Sequence, residues 1–84
     1  MTQNLHDDLI AAIAEWNPRL AGEIDCKTQL ITTARLDSLG LVRLMMWIEE
    51  RIGRPVDVTA VDLGRDWNDV DSIARFVQQR RTGR

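Results

Sequence analysis

With 84 residues, 44% of them hydrophobic and 29% charged, the chain has the composition of one small globular domain rather than a disordered segment. Such a chain buries only about 60% of its unfolded surface, so a deep catalytic cleft would consume much of its core. A formal net charge of −2 weighs against nucleic-acid binding, which depends on clustered positive charge.

The single cysteine, Cys26, has no internal disulfide partner and points to a reducing compartment. The opening Met1-Thr2-Gln3-Asn4 has neither the basic region nor the apolar run of a signal peptide. No stretch approaches the ~20 apolar residues that a membrane helix requires. The expected setting is the cytoplasm, without membrane insertion.

In chain order, the first element is a helix from about Asn4 to Trp16. Asn4 caps it, and Asp7 and Asp8 place negative charge at the positive end of its dipole. Leu5, Leu9, Ile13 and Trp16 form one stripe, widened by Ile10 and Ala12. Asn17-Pro18 stops the helix, because proline disfavours the α conformation in the residue before it. Residues 17 to 36 show no sustained period. So long a connection is unusual in a compact domain, and the apolar Leu20, Ile24, Leu30, Ile31 and Leu36 imply that it packs across the helices.

The second helix opens at Leu36-Asp37-Ser38-Leu39-Gly40 and continues through the apolar run Leu41 to Ile52. Asp37 and Ser38 are both cap-forming residues. Apolar positions occur on more than one face of this helix, which leaves one side for a partner. Gly53 followed by Pro55 ends it. Val56-Asp57-Val58 reads as extended. Thr59-Ala60-Val61-Asp62 resembles a capping box opening a short turn that ends near Gly64. Asn68 is positioned to cap a last helix with Val70, Ile73, Ala74 and Val77 at helical spacing, broadened by Phe76. The basic run Arg80-Arg81-Thr82-Gly83-Arg84 reads as a flexible, solvated end. The expectation is an all-α four-helix bundle in a single domain, residues 1–84 with a core of about 4–79. A long loop joins helices 1 and 2, and helix 3 is short.

No catalytic set is visible. His6, the only histidine, occupies a polar position of the first helix, and as a general base it would need a partner placed by the fold. Cys26 has no nearby positive cluster to lower its pKa and reads as a small packing residue. Asp62, Asp66, Asp69 and Asp71 lack the spacing of a cation-binding loop, so no metal site is expected. Met45, Met46 and Trp47 read most simply as core or near-core residues. Ser38 admits two readings: a helix cap contributing ~1 kcal/mol, or a hydroxyl bearing a phosphate-linked group, since a helix N-terminus favours an anion.

The run Leu36-Asp37-Ser38-Leu39-Gly40-Leu41-Val42-Arg43-Leu44, continuing to Ile48-Glu49-Glu50-Arg51-Ile52-Gly53, resembles the acyl and peptidyl carrier protein family. The likeness covers about residues 4 to 79, with the helix order and lengths in agreement. It implies a monomeric carrier that performs no catalysis itself. A phosphopantetheinyl transferase, using coenzyme A and magnesium, would attach 4′-phosphopantetheine to Ser38. The thiol of that arm would hold acyl or aminoacyl groups as thioesters. A loading ligase, adenylating enzyme or acyltransferase, and downstream synthase enzymes, would be the partners. Asp37 matches the motif acid, expected to cap the helix and meet the transferase, and Leu39 the motif leucine beside the arm. Val42 and Met46 match exposed apolar partner contacts, and Leu44, Ile48 and Ile52 match core positions. Leu41, Arg43 and Trp47 complete the expected partner-binding set.

Arg43 departs from the family pattern, standing where fatty-acid carriers often have an acid. Interface charge sets partner choice and encounter rate, so the chain is expected in a dedicated pathway, such as one for a secondary metabolite, rather than the housekeeping fatty-acid synthase. The alternatives are an unmodified interaction module binding through Leu41, Val42, Met46 and Trp47, and a small hydrolase or transferase using Ser38 as nucleophile.

Overall fold

Stop signals and apolar spacing place the helices. The computed structural model describes residues 5–33 and 35–81. Among these, four α-helices form: α1 (Leu5–Trp16), α2 (Ser38–Ile52), α3 (Leu63–Asp66) and α4 (Val70–Arg81). Two 3-10 turns, Pro18–Leu20 and Val58–Ala60, lie in the connections, and no described residue is in a strand. The fold is the expected all-α bundle. α4 packs against α1, α2 and α3, and α1 also touches α2.

The apolar stripes meet in one core. Leu5, Leu9 and Ile13 enter from α1, Leu44, Trp47 and Ile48 from α2, and Val70, Ile73, Ala74, Phe76 and Val77 from α4. Each such aliphatic side chain, fully withdrawn from water, contributes about 1.5–3 kcal/mol. Trp67, in the link between α3 and α4, is completely buried and stands edge-on to Phe76 at 5.5 Å between ring centres. Its position outside any periodic segment gives no sign of this in the sequence.

The long connection is packed, as its apolar residues imply. Leu30 and Leu36 are buried, with Leu20 and Ile24 against the core edge. Asn17 accepts the Arg19 N–H through its side chain and opens the first 3-10 turn, with Pro18 at its first position. Further on, Asn68 Oδ1 accepts the N–H groups of Ile31 at 2.9 Å and Thr32 at 3.0 Å, and the Asn68 carbonyl accepts that of Leu30. One asparagine therefore fastens the loop to the α3–α4 link. A second tie runs through Asp71, whose carboxylate receives His6 Nε2 at 3.0 Å, Lys27 at 3.1 Å and Arg75 at 3.2 Å. The hydrogen bond from His6, then that from Lys27, hold Asp71 below the usual carboxylate range.

α2 ends as the glycine requires. Gly53 adopts φ 77°, where only glycine is unstrained, and its N–H reaches Glu49 O at 2.9 Å. The Glu49 side chain then accepts the Val56 N–H at 2.9 Å and directs the chain beyond Pro55.

Several local expectations change. The capping residue of α4 is Asp69, whose Oδ1 accepts the Ser72 N–H at 2.7 Å, because Asn68 is drawn away by the loop. The proposed box at Thr59–Asp62 does not form. Val58 is not extended but begins a 3-10 turn capped by Asp57, which accepts both the N–H and the hydroxyl of Thr59. Asp62 precedes α3 without a side-chain cap bond. Arg80 and Arg81 belong to α4 rather than to a flexible tail, and the Arg80 guanidinium lies 3.8 Å from the Phe76 ring centre. The proposed Asn4 cap and residues 82–84 lie outside the described residues.

Candidate functional site at the start of α2

The first turn of α2 divides its labour between two neighbouring residues. Asp37 has extended backbone angles, and its Oδ1 accepts the Gly40 N–H at 2.8 Å. Its carbonyl accepts the Leu41 N–H at 2.9 Å, the first bond of the helix. Asp37 is thus the cap. Ser38, read from sequence as a second possible cap, is instead the first helical residue. It is exposed, and its hydroxyl bonds to no described residue. The N–H groups of Ser38 and Leu39 have no intrahelical acceptor, as at any helix start. A free hydroxyl therefore stands beside unpaired donors at the positive end of a 15-residue helix.

Gly40 permits this geometry. A Cβ there would lie 3.2 Å from Leu36 Cδ2 and 3.4 Å from the capping Asp37 oxygen. Leu36 can consequently lie against the first turn and seal it to the core.

Beside the turn is a shallow depression of about 280 Å³, bordered by Trp16, Asn17 and Arg19, by Arg35 to Asp37, and by Leu39, Gly40 and Arg43. Arg19 and Arg35 come from the aperiodic loop, so no sequence signal had marked them as neighbours of Ser38. Arg35 donates to Thr33 Oγ1 at 2.7 Å and to Gln29 O at 3.3 Å, both uncharged acceptors. Arg19 and Arg43 form no ion pair among the described residues.

The outer face of α2 carries Leu39, Val42 and Met46, which are 59%, 47% and 59% exposed. Arg43 shares that face, four residues after Leu39 and three before Met46. Trp47 and Leu41 do not belong to it. Trp47 is 8% exposed, covered by Arg51 at 4.4 Å from its ring centre, and Leu41 packs partly into the core. Helix geometry rotates both toward the Leu44–Ile48 side. Conversely, Met46, read first as a near-core residue, is among the most exposed apolar side chains of α2.

The remaining candidates are structural. His6 is engaged with Asp71 at the start of α4, and no hydrogen bond joins it to Ser38. Cys26 is half-buried, and its carbonyl accepts the Asp71 N–H at 3.1 Å. Asp66 pairs with Arg65 and accepts the Asp62 N–H, while Asp69 caps α4. No metal-holding group of side chains occurs among the described residues.

The family model described as "phosphopantetheine attachment site" matches residues 7–77, a span that contains most of α1, all of α2 and α3, and most of α4. The chain belongs to this family of carrier domains, to which 4′-phosphopantetheine is attached covalently. Ser38 suits that role, being an exposed hydroxyl at a helix N-terminus with its capping duty assumed by Asp37. No curated protein and no solved structure matches the chain closely enough to be compared with it. No described helix is long and apolar enough to cross a membrane.

Proposed function

We propose that this chain is a cytoplasmic, monomeric carrier whose attachment residue is Ser38, and that it presents acyl or aminoacyl groups to the enzymes of a dedicated biosynthetic pathway. The observation that supports it most is the uncommitted Ser38 hydroxyl at the first position of α2, in a chain of the phosphopantetheine-attachment family. When bound, 4′-phosphopantetheine supplies a thiol on a long flexible arm, where cargo is held as a thioester.

The chain's residues supply placement and recognition. Asp37 fixes the first turn, so that Ser38 stands clear of the surface for a phosphopantetheinyl transferase. The unpaired N–H groups of Ser38 and Leu39, together with the helix dipole, favour an anionic phosphodiester there. Exposed Leu39, Val42 and Met46 offer apolar anchors to the transferase, to a loading enzyme and to downstream enzymes. Arg43 in their midst supports a partner set other than that of an acidic fatty-acid carrier.

The test is intact-protein mass spectrometry after incubation with coenzyme A, magnesium and a promiscuous phosphopantetheinyl transferase. The expected result is a gain of one phosphopantetheine, absent from Ser38→Ala. A folded protein that gains nothing would instead be an unmodified interaction module.

A further inference from the structure

Charge is unevenly distributed over this molecule. Overall it is −2, yet the depression beside Ser38 gathers three guanidinium groups, Arg19, Arg35 and Arg43, against one carboxylate. That carboxylate, Asp37, already accepts the Gly40 N–H. Three arginines elsewhere are paired, Arg51 with Glu50, Arg65 with Asp66, and Arg75 with Asp71. Arg54 and Arg80 stand apart from this depression and form no ion pair among the described residues. The surplus sits where the outer face of α2 begins, and Arg43 continues it between exposed Leu39 and Met46. A second, more apolar depression lies directly beyond, bordered by Trp16, Arg43, Met46, Trp47 and Glu50. Trp16 and Arg43 border both, so the two depressions form one continuous strip.

We propose that this strip docks an acidic, amphipathic segment of a partner enzyme, with the segment's carboxylates over Arg43, Arg19 and Arg35 and its apolar side chains against Leu39, Val42 and Met46. The inference rests on the carrier reading of α2 and adds the sign of the partner's charge. Complementarity carries it. A basic partner would meet three positive side chains around its entry point, and like-charge juxtaposition is a strong bar to association. An acidic segment would be attracted before contact, with an encounter rate that falls as salt rises.

Two short amphipathic helical peptides of equal length test it. They share an apolar face of Leu and Met and carry either Glu or Lys on the flanks. Each is titrated into the 15N-labelled chain before and after phosphopantetheine attachment, with attachment checked by intact mass. The Glu peptide is expected to bind about tenfold or more tightly than the Lys peptide at low salt. It should shift the amides of Leu39, Arg43 and Met46, and Arg43→Glu should remove the preference. Arg19→Gln, which alters only an exposed loop side chain, should weaken the Glu peptide without disturbing the fold. Equal binding, a preference for Lys, or no binding of either peptide would overturn the proposal. So would binding of the Glu peptide to the unmodified chain alone, which would mean that the arm's own phosphodiester occupies the arginines. Failure of attachment by mass would count against the carrier reading, while the titration of the unmodified chain would still decide the docking surface.

Discussion

Asp37 and Ser38 are adjacent and chemically alike as helix-capping residues, yet the structure gives them separable duties, and mutation should separate them. Asp37→Ala removes the oxygen that accepts the Gly40 N–H at 2.8 Å. Loss of such a cap costs about 1 kcal/mol, and loss of negative charge at a helix start adds roughly 0.3–1 kcal/mol. A total of about 1.5 kcal/mol, at roughly 4–8 °C per kcal/mol for a domain of this size, lowers Tm by roughly 6–12 °C. Asp37→Asn keeps an accepting oxygen and loses only the charge, so it should recover more than half of that deficit. Ser38→Ala deletes an exposed hydroxyl that bonds to no described residue, and its stability should stay within about 0.5 kcal/mol of wild type. The assay is thermal and urea unfolding followed by far-ultraviolet circular dichroism on the unmodified proteins. The reasoning fails if Ser38→Ala is as destabilised as Asp37→Ala, or if Asp37→Asn recovers nothing.

Other consequences concern how the loop and bundle are held. Asn68→Ala strips the acceptor from the Ile31 and Thr32 amides; the expected cost is about 1–3 kcal/mol, with faster hydrogen exchange at both amides and little change in the middle of α2. Trp67→Ala empties a fully buried site against Phe76 and should cost about 3–5 kcal/mol, enough to leave so small a domain largely unfolded on warming. Acid should loosen the structure through Asp71, Asp25 and Asp57, whose pKa values are all lowered. A carboxylate with a lowered folded pKa stabilises the fold above its unfolded value, near 3.8 for Asp71, and that stability is lost as pH falls through the folded pKa. Urea midpoints should therefore decline from about pH 5 downward, and Asp71→Asn should flatten part of the decline.

The helices were legible in the sequence where two independent signals agreed. α1 has both an apolar stripe and the Asn17-Pro18 stop, and α2 has both a cap pair and the Gly53–Pro55 exit. Where one signal stood alone, tertiary contacts decided. Asn68 and Asp69 are equally good caps in isolation, but only a loop returning from residue 30 explains why Asn68 is used elsewhere and Asp69 closes α4. Trp67 belongs to no periodic segment, so nothing local marks it as the largest fully buried side chain. Trp47 carried two readings, core residue and partner contact, because apolar residues surround α2 and periodicity cannot say which of them the other helices will cover; its burial agrees with the first.

The same limit applies to the candidate site, and it shows where recognition resides. The motif Asp37-Ser38-Leu39 announces a hydroxyl at a helix start, because capping is a local property of a few residues. Arg19 and Arg35 are distant in sequence and lie in a segment with no period, so only the folded loop brings them beside Arg43. A hydroxyl at a helix start can thus be set by a short local motif, while the charge around it depends on how this chain's loop is fastened. Asn68 fastens that loop, although it lies on the far side of α2 in the chain order. A change at Asn68 should then alter the proposed docking as well as stability, because releasing residues 31 and 32 would free Arg35 from its place beside the first turn. In Asn68→Ala the titrated preference for the Glu peptide should fall, while the mass gain expected from attachment at Ser38 should persist.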